Sequence, residues 1–364
     1  MIATPQPDRF VLLDGIRGVA AVAIVHRHAE FFFGRPEASS YLAVDLFFAL
    51  SGFVLAHAYG ERLRSGKIST LTFMKARFYR LYPLYIIALA IMAAFFVLLY
   101  ALDLPTPIDD LHRKISLGEL AFALLTSILF LPAPFTLTLN GALFLVSPAW
   151  SLFNELVANV VYAKWGARWK SGRIAVVIAV AAIGLVVAAI EFGKLHAGFR
   201  WHEMYAGMAR VFFSFFVGVL IYRFHTGFQI RHQLLALLCL ALVCLILFLP
   251  ITKEVRAFFD LFVVFLVWPV LLAVASKVAP EGWLAAISSF LGTASYGLYV
   301  LHIPLLAWVA FLMPWTGTGW IAYPAGLLFT AFATTFAWVL TRYFDQPMQK
   351  RLRRRVKLVN ATQF

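Results

Sequence analysis

LDGIRGVAAVAIVHRHAEFFF, residues 13–33, reads as one membrane-spanning helix, yet it carries Asp14, Arg17, His26, Arg27 and His28. A charge near the bilayer centre costs roughly 2.5–3.5 kcal/mol on insertion scales, so ionisable groups on such a helix point by default to function. Arg17 and His28 stand eleven residues apart. At 100° per residue that is three turns and about 20°, which puts both side chains on one stripe roughly 16 Å apart along the axis. Asp14 shares the stripe, whereas His26 points about 180° away and is the weaker candidate. The bland alternative is an ion pair at the inner helix end and a histidine near the outer interface.

The rest of the chain has the same solvent in mind. Of its 364 residues 62% are hydrophobic and 13% charged, against about a quarter charged in soluble domains. Apolar runs of about 20 residues recur throughout and leave no polar block long enough for a soluble domain. The expectation is an all-α, polytopic integral membrane bundle, with a transmembrane domain over 1–345 and a basic cytoplasmic tail over 346–364. MIATPQPDRF shows no basic segment followed by a cleavage site, so the first helix is expected to be retained as an anchor. Cys239 and Cys244 share one apolar run and are read as packing residues.

A net charge of +14 would suggest nucleic acid in a soluble protein, but here the cations flank membrane spans and no nucleic acid is expected. A hydrophilic loop is expected from Glu61 to Arg80, carrying Arg62, Arg64, Lys67, Lys75, Arg77 and Arg80, and the tail after Thr341 carries Arg342, Lys350, Arg351, Arg353, Arg354, Arg355 and Lys357. The positive-inside rule places both in the cytoplasm, and with them both termini. Spans are expected at 10–33, 41–60, 78–101, 174–191, 206–222, 234–250, 257–276, 285–312 and 320–341. The region 117–163 must hold an odd number of crossings. It contains two short apolar runs, 117–131 and 141–163, split by prolines, so one crossing plus a re-entrant or broken segment brings the total to ten. Irregular backbone at membrane depth must be buried in protein or line a wet cavity, so Ser147, Pro148, Trp150 and Glu155 are expected beside one.

Asp45, in YLAVDLFFALSGFVLA, enters from the external side at about the depth of His28. A carboxylate beside an imidazole fixes its tautomer and raises its basicity, leaving the other nitrogen to accept a proton from an alcohol; pairing with Arg27 or helix capping are the alternatives. Ser51 and Gly52 permit close helix contact. Lys75, Arg77 and Arg80 in FMKARFYRLYPLY obey the positive-inside rule, or recognise phosphates such as those of coenzyme A. Glu155 in SPAWSLFNELV requires a partner, with Arg17 or Arg80 in reach. Ser295, Tyr299 and His302 in SYGLYVLHIP share one helical face and are expected to line a cavity more than to act directly. Asp345 in YFDQPM is read as a cap or a partner of the basic tail. No metal ligand set is expected.

Five elements in this order resemble the acyltransferase-3 family of bacterial membrane acyltransferases: LDGIRG with arginine, ten residues, then histidine; VDLFFALSGF; RFYR; WSLFNE; and SYGLYVLHIP. The resemblance runs from about Phe10 to Pro347. Asp345-Gln346-Pro347 departs from the family's usual Glu-x-Pro. The resemblance implies ten transmembrane helices in the bacterial inner membrane. It also implies transfer of an acyl group, often acetyl, from cytoplasmic acyl-coenzyme A, a substrate and not a resident cofactor, to a hydroxyl of an extracytoplasmic glycan or glycolipid. By position the family's essential residues fall on Arg17 and His28 and its paired arginines on Arg77 and Arg80. No esterase-like domain is expected before Phe364. On this reading His28, oriented by Asp45, is a general base or an acyl carrier, Arg17 lies on the donor path, and Arg77, Arg80 and Lys75 hold the nucleotide. Intramembrane charges and a broken helix also suit a transporter or flippase of a lipid-linked glycan, but no inverted repeat is visible.

Overall fold

The computed structural model describes residues 10–34, 38–104, 116–133 and 144–352. The chain is mostly helical: α1 (Val11–His28), α2 (Ala43–Arg64), α3 (Thr70–Ala101), α4 (Leu117–Ile128), α5 (Ala149–Lys164), α6 (Ser171–Phe192), α7 (Met204–Arg223), α8 (Gln233–Phe248), α9 (Lys253–Ala275), α10 (Gly282–Leu312) and α11 (Ala322–Leu340). α9 contains a π-turn at Val263–Val267, and a second one, Thr341–Asp345, carries α11 on into a helix that ends at Leu352. The one sheet among the described residues is a parallel pair of two-residue strands, Ile230–Arg231 against Val278–Ala279.

Seven of these helices, α2, α3, α6, α7, α9, α10 and α11, are long and apolar enough to cross a bilayer. α1 has 18 residues but carries three charges, while α4, α5 and α8 have 12, 16 and 16 residues. The region expected to hold one crossing plus a re-entrant or broken segment, 117–163, contains two helices that are each short for a span; residues 134–143, which include part of the expected run 141–163, lie outside the described residues.

Of the expected 61–80 loop only residues 65–69 are non-helical. α2 continues to Arg64 and α3 begins at Thr70, so Lys75, Arg77 and Arg80 stand on a helix. Ser69 caps that helix by accepting the Thr72 N–H at 3.1 Å, which meets one of the donors left open at a helix start.

Helices in lipid gain nothing from hydrophobic association with one another and depend on close van der Waals packing. α2 and α7 cross where Gly52 meets the Phe215 carbonyl and Gly218 meets the Ala49 carbonyl; a Cβ on either glycine would drive into that backbone. α1 and α10 lie side by side with rising numbers matched: Gly15 against Ser288, Gly18 against Leu291 and His28 against His302. They therefore run in the same direction, and α11 returns to the end where α1 starts. Arg80 reaches Asp345 at that end, and Thr70 Oγ donates to the Ala163 carbonyl at 3.3 Å. The starts of α1 and α3 and the ends of α5 and α11 share one basic end of the bundle.

Candidate functional site

The packing of α1 on α10 sets the position of both residues singled out on α1. A Cβ on Gly292 would come within 2.5 Å of the Asp14 Cβ, so glycine there allows the two backbones to approach. Arg17 then lies across α10: its Nε donates to Ser295 Oγ at 2.8 Å, and one Nη donates to Asp14 Oδ1 at 2.8 Å and to the Gly292 carbonyl at 3.0 Å. Ser295 passes its own proton to the Gly292 carbonyl at 2.8 Å. Arg17 and Asp14 open on a cavity of about 230 Å³ at the basic end, shared with Arg80, Thr341, Asp345 and Gln349.

Further along the same pair of helices, His28 Nδ1 lies 3.0 Å from His302 Nε2. The tautomers follow from the outer end of this chain. His302 Nδ1 sits 3.1 Å from the Leu298 carbonyl, which only accepts, so Nδ1 carries the proton and a neutral His302 presents a lone pair at Nε2. His28 must then donate from Nδ1, and its Nε2 is left as an acceptor. The rings stack at 5.0 Å between centroids, and Tyr299 lies 6.2 Å from His302. This is an imidazole with a fixed tautomer and one free acceptor nitrogen, positioned by two helices.

Asp45 is not the group that orients it. Its carboxylate receives Arg210 Nε at 3.1 Å and an Arg210 Nη at 2.7 Å, with both side chains almost completely buried. Arg210 also donates to the carbonyls of Tyr41 and Ala197, each at 2.9 Å, and covers the Trp150 ring at 5.5 Å. A planar fork with five donors saturates a carboxylate and two carbonyls where a single imidazole N–H could not. Sequence reading missed Arg210 and Asp260, although a lone charge in an apolar helix is the same signal that singles out Arg17.

The arginines of α3 are likewise partnered. Arg77 donates to Glu155 Oε1 at 2.7 Å, and Ser51 Oγ donates to the same oxygen at 2.5 Å. Glu155 thus pairs with neither Arg17 nor Arg80. Arg80 reaches Asp345 at 3.3 Å and lies over Tyr296; Asp345 also accepts from Gln349 at 2.7 Å, so the start of the expected tail belongs to the bundle. Lys75 is exposed. Trp150 is buried. Tyr299 lies 2.7 Å from Ser151 Oγ, which donates onward to the Pro148 carbonyl at 3.0 Å, so the tyrosine proton is committed to Ser151.

At the opposite end, Arg27 donates to the Ala38 carbonyl at 3.2 Å and to His196 Nδ1 at 3.4 Å, with its guanidinium over the Tyr41 ring. Tyr41 OH lies 2.7 Å from Asp260 Oδ2, which also accepts the Leu195 N–H at 2.8 Å. These bonds fix the α6–α7 connection against α1. His196 lies in that connection, and burial followed by the nearby Arg27 charge holds its imidazole well below the ordinary range; it accepts from Arg27 as a neutral ring. Cys239 is buried, Cys244 exposed, and both are free thiols. No cluster with metal-ligand geometry occurs among the described residues.

A helical bundle with a histidine pair, an arginine and buried ion pairs at membrane depth defines a polytopic membrane protein built around internal polar chemistry. The chain belongs to the acyltransferase-3 family: the model of that family's acyltransferase domain matches residues 10–342. It is also 74% identical over 186 residues to "Protein 2 in picA locus" of Rhizobium radiobacter, a match covering 51% of this chain and 97% of that protein. No solved structure matches it.

Proposed function

We propose that this membrane acyltransferase moves an acyl group, acetyl in the simplest case, from cytoplasmic acyl-coenzyme A to a hydroxyl of an extracytoplasmic glycan or glycolipid, with His28 as general base. The observation that carries the reading is the 3.0 Å contact between His28 and His302. The Leu298 carbonyl fixes His302, His302 fixes His28, and His28 Nε2 is left to take a proton. Positioned proton transfer of this kind contributes about 10²–10⁴-fold to rate.

In the reaction His28 Nε2 removes the acceptor hydroxyl proton as that oxygen bonds to the thioester carbonyl carbon. The carbon–sulfur bond breaks, and the proton passes to the departing thiolate. In the two-step variant Nε2 itself carries the acyl group between the two substrates. The basic end is assigned to the cytoplasm by the positive-inside rule, in an inner membrane crossed ten times. Arg17 and Arg80 flank the 230 Å³ opening there and receive the donor phosphates, with Lys75 adding long-range attraction. Arg77 is reassigned from the nucleotide to holding Glu155. Arg27, His196 and Tyr41, at the opposite end, bound the approach of the acceptor.

The test is purified protein in lipid nanodiscs, given radiolabelled acetyl-coenzyme A and a panel of candidate glycans. His28→Ala should abolish transfer while the protein remains folded, and His302→Ala should slow it about 10²-fold or more and shift its pH–rate profile. Unimpaired transfer by folded His28→Ala would refute the assignment. Label retained on the protein without acceptor would select the two-step variant.

A further inference from the structure

A second cavity, of about 640 Å³, opens at the basic end between the ends of α2, α5 and α7 and the start of α6. It is separate from the opening at Arg17 and Arg80 and shares no residue with it. Arg64, Arg168, Lys170 and Arg223 line it, against the single carboxylate of Glu61. Glu61 is held by Arg64. Arg168, Lys170 and Arg223 make no ion pair among the described residues.

Interfacial cations by themselves say only which side of a membrane they occupy. Three further features point to a ligand. Tyr162, 2% exposed, lines the cavity with a hydroxyl that meets no hydrogen-bond partner among the described residues. Arg223 is held in place, donating to the carbonyls of Trp169 at 2.6 Å and Gly166 at 3.2 Å, so its charge is presented at a fixed position. The 22-residue α6 starts at the cavity edge with Ser171, and no side chain caps it. Open N–H groups and the positive end of a helix dipole favour an anion there. Trp169 gives the chamber an aromatic wall.

We propose that this chamber is a phosphate-binding site distinct from the donor opening, which takes a phosphate ester bearing an apolar or aromatic group. The phosphate lies between Arg168, Lys170, Arg223 and the start of α6 and accepts the Tyr162 hydroxyl. Two sources offer that chemistry: the headgroup of an anionic phospholipid of the adjacent leaflet, and a soluble phosphate. The site does not depend on the reaction proposed above.

The full-length protein in nanodiscs of neutral lipid is titrated with inorganic pyrophosphate by calorimetry. In parallel, bound phosphatidylglycerol is counted by native mass spectrometry. Binding of either probe is expected to weaken at least tenfold in the Arg168→Gln, Lys170→Gln double variant. It should also weaken severalfold in Tyr162→Phe, which keeps the ring and removes only the hydroxyl. Arg80→Ala removes only what binds at the donor opening, and the binding that remains should still weaken in the double variant and in Tyr162→Phe. Weakened phosphatidylglycerol binding alone identifies the lipid source, and weakened pyrophosphate binding the soluble one. No binding of either probe, binding indifferent to both variants, or binding abolished altogether by Arg80→Ala overturns the proposal.

Discussion

Replacing Arg210 by Met removes the fork that bonds both Asp45 oxygens at 3.1 and 2.7 Å and the carbonyls of Tyr41 and Ala197 at 2.9 Å. Asp45, 0% exposed, then keeps its charge without a partner or takes up a proton. Breaking a buried pair from one side costs about 3–5 kcal/mol. At an unfolding entropy of about 2 cal/mol/K per residue, 4 kcal/mol lowers the melting temperature of a chain this long by roughly 5 °C. The Arg210→Met, Asp45→Leu double variant should recover most of that loss, because an apolar pair of similar volume often replaces a buried ion pair without penalty. Thermal melting in one detergent, with all variants measured together, is the assay. A single variant as stable as the parent, or a double variant no better than the single, would refute the reasoning. Asp45→Asn separates structure from chemistry: it should lower the melting temperature and leave the pH–rate profile of transfer unmoved. If Asp45 instead acted on His28, the profile would shift in a protein of unchanged stability.

Gly292→Val should cost about 1–3 kcal/mol, because the new side chain meets Asp14 where two helices already touch; circular dichroism melts would show it, and parental stability would contradict the packing. Arg77→Gln should lower the melting temperature and Glu155→Gln in the same protein should restore part of it, with the KM for the acyl donor unchanged. A raised KM at full stability would return Arg77 to the phosphates. Tyr41→Phe removes the hydroxyl donated to Asp260, and hydrogen bonds to charged groups contribute about 1.5–3 kcal/mol, read as a loss in the same melts. His196 resists protonation in the fold. When unfolded it takes a proton near pH 6.5, so unfolding is favoured as pH falls below that value, by at most about 1.4 kcal/mol per pH unit. His196→Gln should therefore flatten the acid-side fall in melting temperature between pH 7 and pH 5, and an unaltered slope would count against it.

What the sequence determined is what depends on neighbours along one helix and on transfer from water to lipid. Apolar length marked α2, α3, α6, α7, α9, α10 and α11, which are long and apolar enough to cross, but also the runs 10–33 and 234–250, where α1 carries three charges and α8 has only 16 residues; the placement of cations picked out one end of the bundle. The eleven-residue spacing put Arg17 and His28 on one face of α1, and that face does meet Ser295 and His302 of α10. Partner choice was decided by the tertiary structure. A carboxylate at the depth of an imidazole looks like its partner until the lateral positions of helices are known, and those are set by close approaches such as Gly52 to Phe215 and Gly292 to Asp14. That packing turned Asp45 toward Arg210, Arg77 toward Glu155 and His28 toward His302. These are contacts between residues up to 274 apart in the chain, and helical periodicity carries no information across such a separation.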